Sequence, residues 1–188
     1  MSTARTYKLP LSPGKGPNGR NLCRVCAKEV PPRNSSFCSH DCVHEYRLRS
    51  DPGYVRFLVE KRDQGVCAVC GRDTEKFRAR LLGKIRKIYR RHATYDPRPD
   101  TAPIHIVLRC TRISKFVLRL GGRRVGKTLF HRLYHVSQLW DADHALPVCE
   151  GGGLCGLDGF RTLCLWCHAA ETAALLKRRA AQRRESKC

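Results

Sequence analysis

Eight of the twelve cysteines in this chain of 188 residues fall into four close pairs: Cys23/Cys26, Cys38/Cys42, Cys67/Cys70 and Cys164/Cys167. Two thiolates on one short turn, met by two more from elsewhere, are what a closed tetrahedral zinc site requires. Cysteine-rich secreted chains use disulfides instead. Here the N-terminal stretch MSTARTYKLPLSPGKGPNGR has no apolar core of signal-peptide length. No run of about eighteen apolar residues follows, so no membrane span is expected. Reduced, metal-bound cysteines in an intracellular, unsecreted protein fit this pattern.

The first two pairs read Cys23-x2-Cys26-x11-Cys38-x3-Cys42. A segment this small cannot bury enough apolar surface to fold alone. Bound zinc would supply the missing free energy, on the order of 10 kcal/mol in zinc-finger peptides. His40 and His44 lie close enough in sequence to replace one thiolate. The third pair is followed by Gly71, which turns the chain, and it needs partners. Cys164 and Cys167 are the available ones. They open a helix, whose positive end favours thiolates. Four cysteines leave no open position, so each zinc is structural. A knuckle joined to a helix start is the layout of a treble-clef finger. The sequence thus divides into a flexible basic arm (1–20), a four-cysteine zinc knuckle (21–46), a connecting helix (47–66), the main domain (67–185) with a basic insertion (73–136), and a tail (186–188). Asp51 suits the N-cap of the connector, with Pro52 at the first helical position and Tyr54, Phe57, Leu58 and Val59 as its apolar stripe.

Lys and Arg total 37 against 16 Asp and Glu, a net charge of +21. Such a balance points to a polyanionic partner, of which nucleic acid is the commonest. In the insertion, Phe77, Leu81, Ile85 and Ile88 recur at helical spacing. Arg80, Lys84, Lys87 and Arg91 share similar offsets and form either a solvated face or a row of phosphate contacts. Residues 93–103 are Pro-rich and read as a loop. Residues 104–120 read as two strands, with Cys110 a buried free thiol in the first. Gly121–Thr128 matches the G-x4-G-K-[ST] phosphate loop, but too little chain follows to build the βα units of a nucleotide-binding sheet. The segment reads instead as a basic β-turn presenting Arg123 and Arg124 to nucleic acid. His131 and His135 read as surface or DNA-facing side chains. A last helix over 162–185 carries Leu165, Ala169, Ala173 and Leu176 on one face.

Between the cysteine halves lie residues suited to chemistry. Asp143 and His144 are adjacent, and His168 follows Cys167 directly. A carboxylate and an imidazole can hold one divalent cation and leave positions open for water and phosphate. A second imidazole can take a proton from water near neutral pH. Neighbouring residues on a regular strand point to opposite faces, so a bend near 143–147 is expected if Asp143 and His144 serve one site.

Asp143-His144, Pro147, Gly151-Gly152, Leu157-Asp158, Thr162-Leu163-Cys164 and Cys167-His168 resemble the HNH endonuclease family, whose pattern runs DH…P…GG…LDNLxTLCxxCH. The N-terminal part, with FCS and GVCAVCGRD, is similar to the HNH module of annealing-helicase translocases and related stand-alone nucleases. The resemblance covers about residues 21–73 and 138–180. It implies an α+β fold: a small zinc-stabilised ββα-metal core of HNH, treble-clef type, with an N-terminal four-cysteine zinc knuckle and the basic insertion. It implies an endonuclease acting on DNA, double-stranded or branched. His144 would activate water, and Asp143 and His168 would bind Mg2+ or another divalent cation beside two structural Zn2+ sites. The family's middle Asn, which fixes the loop or helps hold the metal, falls on Gly159 here. Asp158 is the nearest substitute as an oxygen ligand. Cys149 and Cys155, which flank the Gly-rich loop, read as free thiols. The competing reading is a non-catalytic zinc-finger nucleic-acid-binding protein derived from such a nuclease.

Overall fold

A computed structural model describes residues 14–92, 101–135 and 137–185. The elements in order are α1 (His40–Ser50), α2 (Pro52–Asp63), α3 (Thr74–His92), α4 (Ile104–Leu108), α5 (Thr111–Tyr134), β1 (Trp140–His144), β2 (Phe160–Cys164) and α6 (Leu165–Glu185). β1 and β2 form a two-stranded antiparallel sheet. The fold is therefore mixed helix and sheet. No helix among the described residues is long and apolar enough to cross a membrane. The chain divides into two compact units, Met1–Arg62 with His144–Phe160, and Asp63–Asp143 with Arg161–Cys188.

In the first unit, the chain turns tightly at Cys23. The Cys23 N–H donates to the Lys28 carbonyl, and Ala27 takes a positive φ of 58° to close the turn. Ser39 caps α1 by accepting from the Cys42 N–H at 3.3 Å. Cys23, Val30 and Cys42 form a small buried cluster with Val25 and Phe37 against it. Asp51 caps α2, its Oδ1 accepting from the Tyr54 N–H at 3.0 Å. The buried positions of α2 are Val55 and Val59, four apart. Phe57, expected in the apolar stripe, is 59% exposed. Of the expected basic arm, residues 1–13 lie outside the described residues. Residues 14–20 are folded back rather than free: Lys15 bridges to Asn21, and Asn18 donates to both Glu29 oxygens at 2.7 Å.

The second unit holds the larger core, built from Leu81, Ile85, Val107, Leu108, Ile113, Val117, Val125, Leu129, Leu133, Leu139 and Leu165. α3 follows the expected periodicity, with Leu81 and Ile85 buried and Phe77 and Ile88 packed at the margin. Residues 104–120 are not strands. They form α4 and the first half of α5. Ile113, Val117 and Gly121 before the Gly122 kink, and Val125, Leu129 and Leu133 after it, are buried at a spacing of four, so each half of α5 buries one helix face. The local β-branched content suggested strand, and the longer period overrules it. The expected GGRR turn between strands is likewise a kink within α5, where Gly122 has φ 64° and ψ −167°. A side chain on Gly121 would strike the Gly126 backbone, and one on Gly126 would strike the Leu118 carbonyl. The two glycines let the halves of α5 cross at backbone contact, so their spacing serves packing rather than a phosphate loop. Cys110 is the half-buried N-cap of α5, not a strand residue. Most of the expected 93–103 loop, residues 93–100, lies outside the described residues. α6 begins at Leu165, three residues later than expected, because Thr162–Cys164 complete β2. Its inner face is Leu165, Trp166 and Ala169, while Leu176 is 56% exposed.

Candidate metal centres and active site

Two groups of four cysteines have their ligand atoms within 4.8 Å of one another: Cys23, Cys26, Cys38 and Cys42, and Cys67, Cys70, Cys164 and Cys167. Each could hold a metal ion. A tetrahedron with Zn–S bonds of roughly 2.3 Å has sulfur–sulfur edges of about 3.8 Å. The observed Sγ separations are 3.4 Å for Cys26–Cys38, 3.6 Å for Cys38–Cys42 and 3.8 Å for Cys70–Cys164. The donor sets therefore fit zinc in size and softness. His44, the alternative ligand, is instead paired through Nδ1 with the Tyr54 hydroxyl at 2.8 Å.

Both groups follow one plan. The first pair sits on a tight turn, closed around Cys67 by its N–H to the Arg72 carbonyl and by Gly71 at φ 65°. The third cysteine comes just before a helix, and the fourth lies in its first turn. Charge is spread unevenly among the thiols. Burial pushes the Cys67 thiol up, but backbone N–H groups of Cys164, Cys70 and Val69 outweigh it and bring it down to about 6. Cys23 is brought to about 6 in the same way, by N–H groups of Cys26, Val25 and Cys38. Burial and the neighbouring thiols push Cys42 up to about 12 and raise Cys167 strongly. Four thiolates at this separation repel, and a divalent cation is what lets all of them ionise.

Within the second unit, Asp141 and Asp143 stand two apart on β1 and so face the same side of the sheet. His168, in the first turn of α6, lies against both. Its Nδ1 is 3.4 Å from Asp141 Oδ2, and its Nε2 is 3.9 Å from Asp143 Oδ1. Arg132 of α5 pairs with the other Asp141 oxygen. Arg161 of β2 bridges Asp143 Oδ2 at 3.5 Å and Glu171 at 3.7 Å. Burial pushes the Asp141 carboxyl up, but the His168 hydrogen bond and the Arg132 charge overcome it and hold the group at about 2. The Asp141 hydrogen bond raises His168 against the opposing effect of burial, with help from the Asp143 charge.

Of the sequence candidates, Asp143 and His168 are thus brought together. Within the first unit, His144 ends β1 and packs its ring at 4.3 Å from Phe160. The bend comes after it, at residues 145–146. Asp158 is exposed in a short 3-10 turn, Leu157–Gly159. A Cβ on Gly159 would overlap the Cys155 side chain. The loop is held by other means: the Gly159 carbonyl accepts from Ala145 at 2.8 Å, and Arg62 donates to the Leu157 and Phe160 carbonyls at 3.0 and 2.6 Å. Arg80, Lys84, Lys87, Arg91, Arg123 and Arg124 are all exposed. Cys149 and Cys155 are free thiols. Asp141, Arg132 and Arg161 were not singled out from sequence. Asp141 carried a legible signal, since WDADH places two carboxylates on one strand face.

Sequence comparison finds the human "DNA annealing helicase and endonuclease ZRANB3" 31% identical over 153 residues, 81% of this chain and 12% of that protein. The mouse protein is 30% identical over 192 residues, 93% of this chain and 16% of that one. The bovine protein is 32% identical over 153 residues. The chain thus spans 12–16% of the length of these relatives. No family model matches. Among solved structures, the human ZRANB3 HNH domain is 27% identical with a TM-score of 0.40, covering 72% of this chain and 97% of that one. The Asp-His and Cys-x-x-Cys-His motifs and the likeness to these relatives support an HNH-type module in this chain.

Proposed function

We propose that this nuclease-type module is a metal-dependent endonuclease that hydrolyses phosphodiester bonds in DNA, double-stranded or branched, with Zn2+ in both four-cysteine groups. The observation that carries it is the placement of His168. Asp141 Oδ2 lies 3.4 Å from Nδ1, which orients the ring with Nε2 toward Asp143. A carboxylate behind a ligating histidine is the usual second layer of a metal site. An ion held by two residues at roughly 2.1 Å each requires donor atoms less than about 4.2 Å apart. The 3.9 Å between His168 Nε2 and Asp143 Oδ1 satisfies this.

Asp143 and His168 would hold Mg2+ or a similar ion, which when bound supplies charge stabilisation at the phosphate and the leaving oxygen. His144 takes a proton from water as that water attacks phosphorus. Arg161 holds the second oxygen of Asp143, orienting the carboxylate. The four-cysteine groups hold the scaffold. The relatives' name, DNA annealing helicase and endonuclease, supports DNA as the substrate.

A second reading, nucleic-acid binding without cleavage, is favoured by Gly159, where the Cys155 side chain fills the space a family Asn would need. One assay separates the two. Purified protein is incubated with supercoiled plasmid and Mg2+, Mn2+ or Ni2+. Nicking that disappears in His144→Ala while zinc content is unchanged supports the enzyme. Salt-sensitive binding without nicking in any of the metals sinks it in favour of the second reading.

A further inference from the structure

The proposed site has a neighbour that the HNH motif does not include. α5 packs against α6, and Arg124 and Thr128 lie four residues apart on it, one above the other on a single helix face. With Asp141, Leu165, His168 and Ala169 they line a small open cleft of about 70 Å³. The other two arginines near the cluster are committed, Arg132 to Asp141 and Arg161 to Asp143 and Glu171. Arg124 is exposed, and among the described residues no hydrogen bond or ion pair engages it. Its guanidinium presents a rigid fork of donors that matches two oxygens of a phosphate. The Thr128 hydroxyl adds a further donor one turn along. Asp141, the carboxylate on the cleft wall, is already paired with Arg132 and His168, so the charge that Arg124 brings to the cleft is uncompensated.

We infer that Arg124 and Thr128 form a phosphate seat beside His168, which takes a backbone phosphodiester of a nucleic-acid strand and holds that strand in register with the Asp143–His168 pair. Arg124 is a positioning residue contributed by the insertion. The inference rests on the nuclease reading for its purpose but not for its chemistry, since a phosphate can be bound without being cleaved.

The test uses the full chain and a fluorescein-labelled DNA duplex, by anisotropy across a salt series with no added Mg2+. Arg124→Ala weakens binding about 5–20-fold and lowers the salt-dependence slope by about one. Arg124→Lys restores the slope but only part of the affinity. Arg119→Ala, an exposed arginine on α5 that does not line the cleft, stays within about twofold, its phosphate contacts being generic where they occur. Zinc content and far-UV circular dichroism, unchanged in all three, exclude misfolding. Equal losses in Arg124→Ala and Arg119→Ala, or no duplex binding by the wild-type chain, overturn the seat. A selective Arg124 loss in a protein that nicks no plasmid keeps the seat and rejects the nuclease.

Discussion

His168 Nδ1 lies 3.4 Å from Asp141 Oδ2, and this contact sets which nitrogen of the ring faces Asp143. Asp141 belongs to β1 and His168 to the first turn of α6. The pair therefore joins sheet to helix as well as preparing a ligand. Without added divalent cation its contribution to stability has a defined pH window. The Asp141 carboxyl is held at about 2 against an ordinary 3.8. Its share is present above 3.8 and is lost as pH falls toward 2. His168 is raised above its ordinary 6.5. Its share is full below 6.5 and is lost as pH rises through the folded value. The pair thus contributes most between 3.8 and 6.5. Asp141→Asn should lower stability there by about 1–2 kcal/mol, with the difference shrinking on either side. Melting curves of both proteins across pH check this, and a constant difference would contradict it.

Cys164 is fully buried at the junction of β2 and α6, beside Leu163 and Cys67. Cys164→Ser should release the ion from that group, leave the Cys23 group loaded, and unfold the second unit. Zinc per chain should fall by about half by elemental analysis, with near-UV circular dichroism lost. Cys149→Ser, at an exposed free thiol, should stay within about 0.5 kcal/mol of wild type. A folded Cys164→Ser protein with full zinc would rule out this assignment.

Two glycines of the insertion should respond in opposite directions. Gly126→Ala drives a methyl into the Leu118 carbonyl at the crossing of the two halves of α5. It should cost about 1–3 kcal/mol. Gly83 lies mid-α3 with nothing within 4 Å of an added Cβ. Gly83→Ala should stabilise by roughly 0.5–1 kcal/mol. Urea unfolding of both variants decides the point, and a neutral Gly126→Ala would mean the crossing is not close-packed.

Gly159 and Cys155 should behave as a coupled pair. Gly159→Asn alone overlaps the Cys155 side chain and should destabilise by about 1–3 kcal/mol. Adding Cys155→Gly, which removes both the Cβ and the Sγ that the new side chain meets, should recover part of that loss, giving a coupling of about 0.5 kcal/mol or more in a double-mutant cycle. Additive effects would show that Cys155 does not occupy the space.

The metal groups were legible because their spacing is local: a thiol pair on a turn, and another at a helix start, are set by a few residues each. Only their partnering, Cys67 and Cys70 with Cys164 and Cys167, spans long sequence separations, and the requirement for four ligands supplied it. Asp143 and His168 were legible as a motif. Asp141 and the two arginines holding the carboxylates were missed, because nothing in WDADH alone says which carboxylate meets the ring. The strands expected over 104–120 failed for a different reason. Ile104, Ile106 and Val107 favour strand locally, whereas the burial of Ile113, Val117, Gly121, Val125, Leu129 and Leu133 at intervals of four is a property of the longer segment.

By itself, then, the sequence determined two four-thiol groups, an HNH-type motif and a strongly basic insertion, since these depend on residue type and short spacing. The tertiary structure decided that the insertion is helical and crosses itself at Gly121 and Gly126. It also decided that Asp141 holds His168, and that Arg124 opens onto the same cleft. These outcomes depend on which helix faces pack together, and that is set by the whole core rather than by any one stretch of chain.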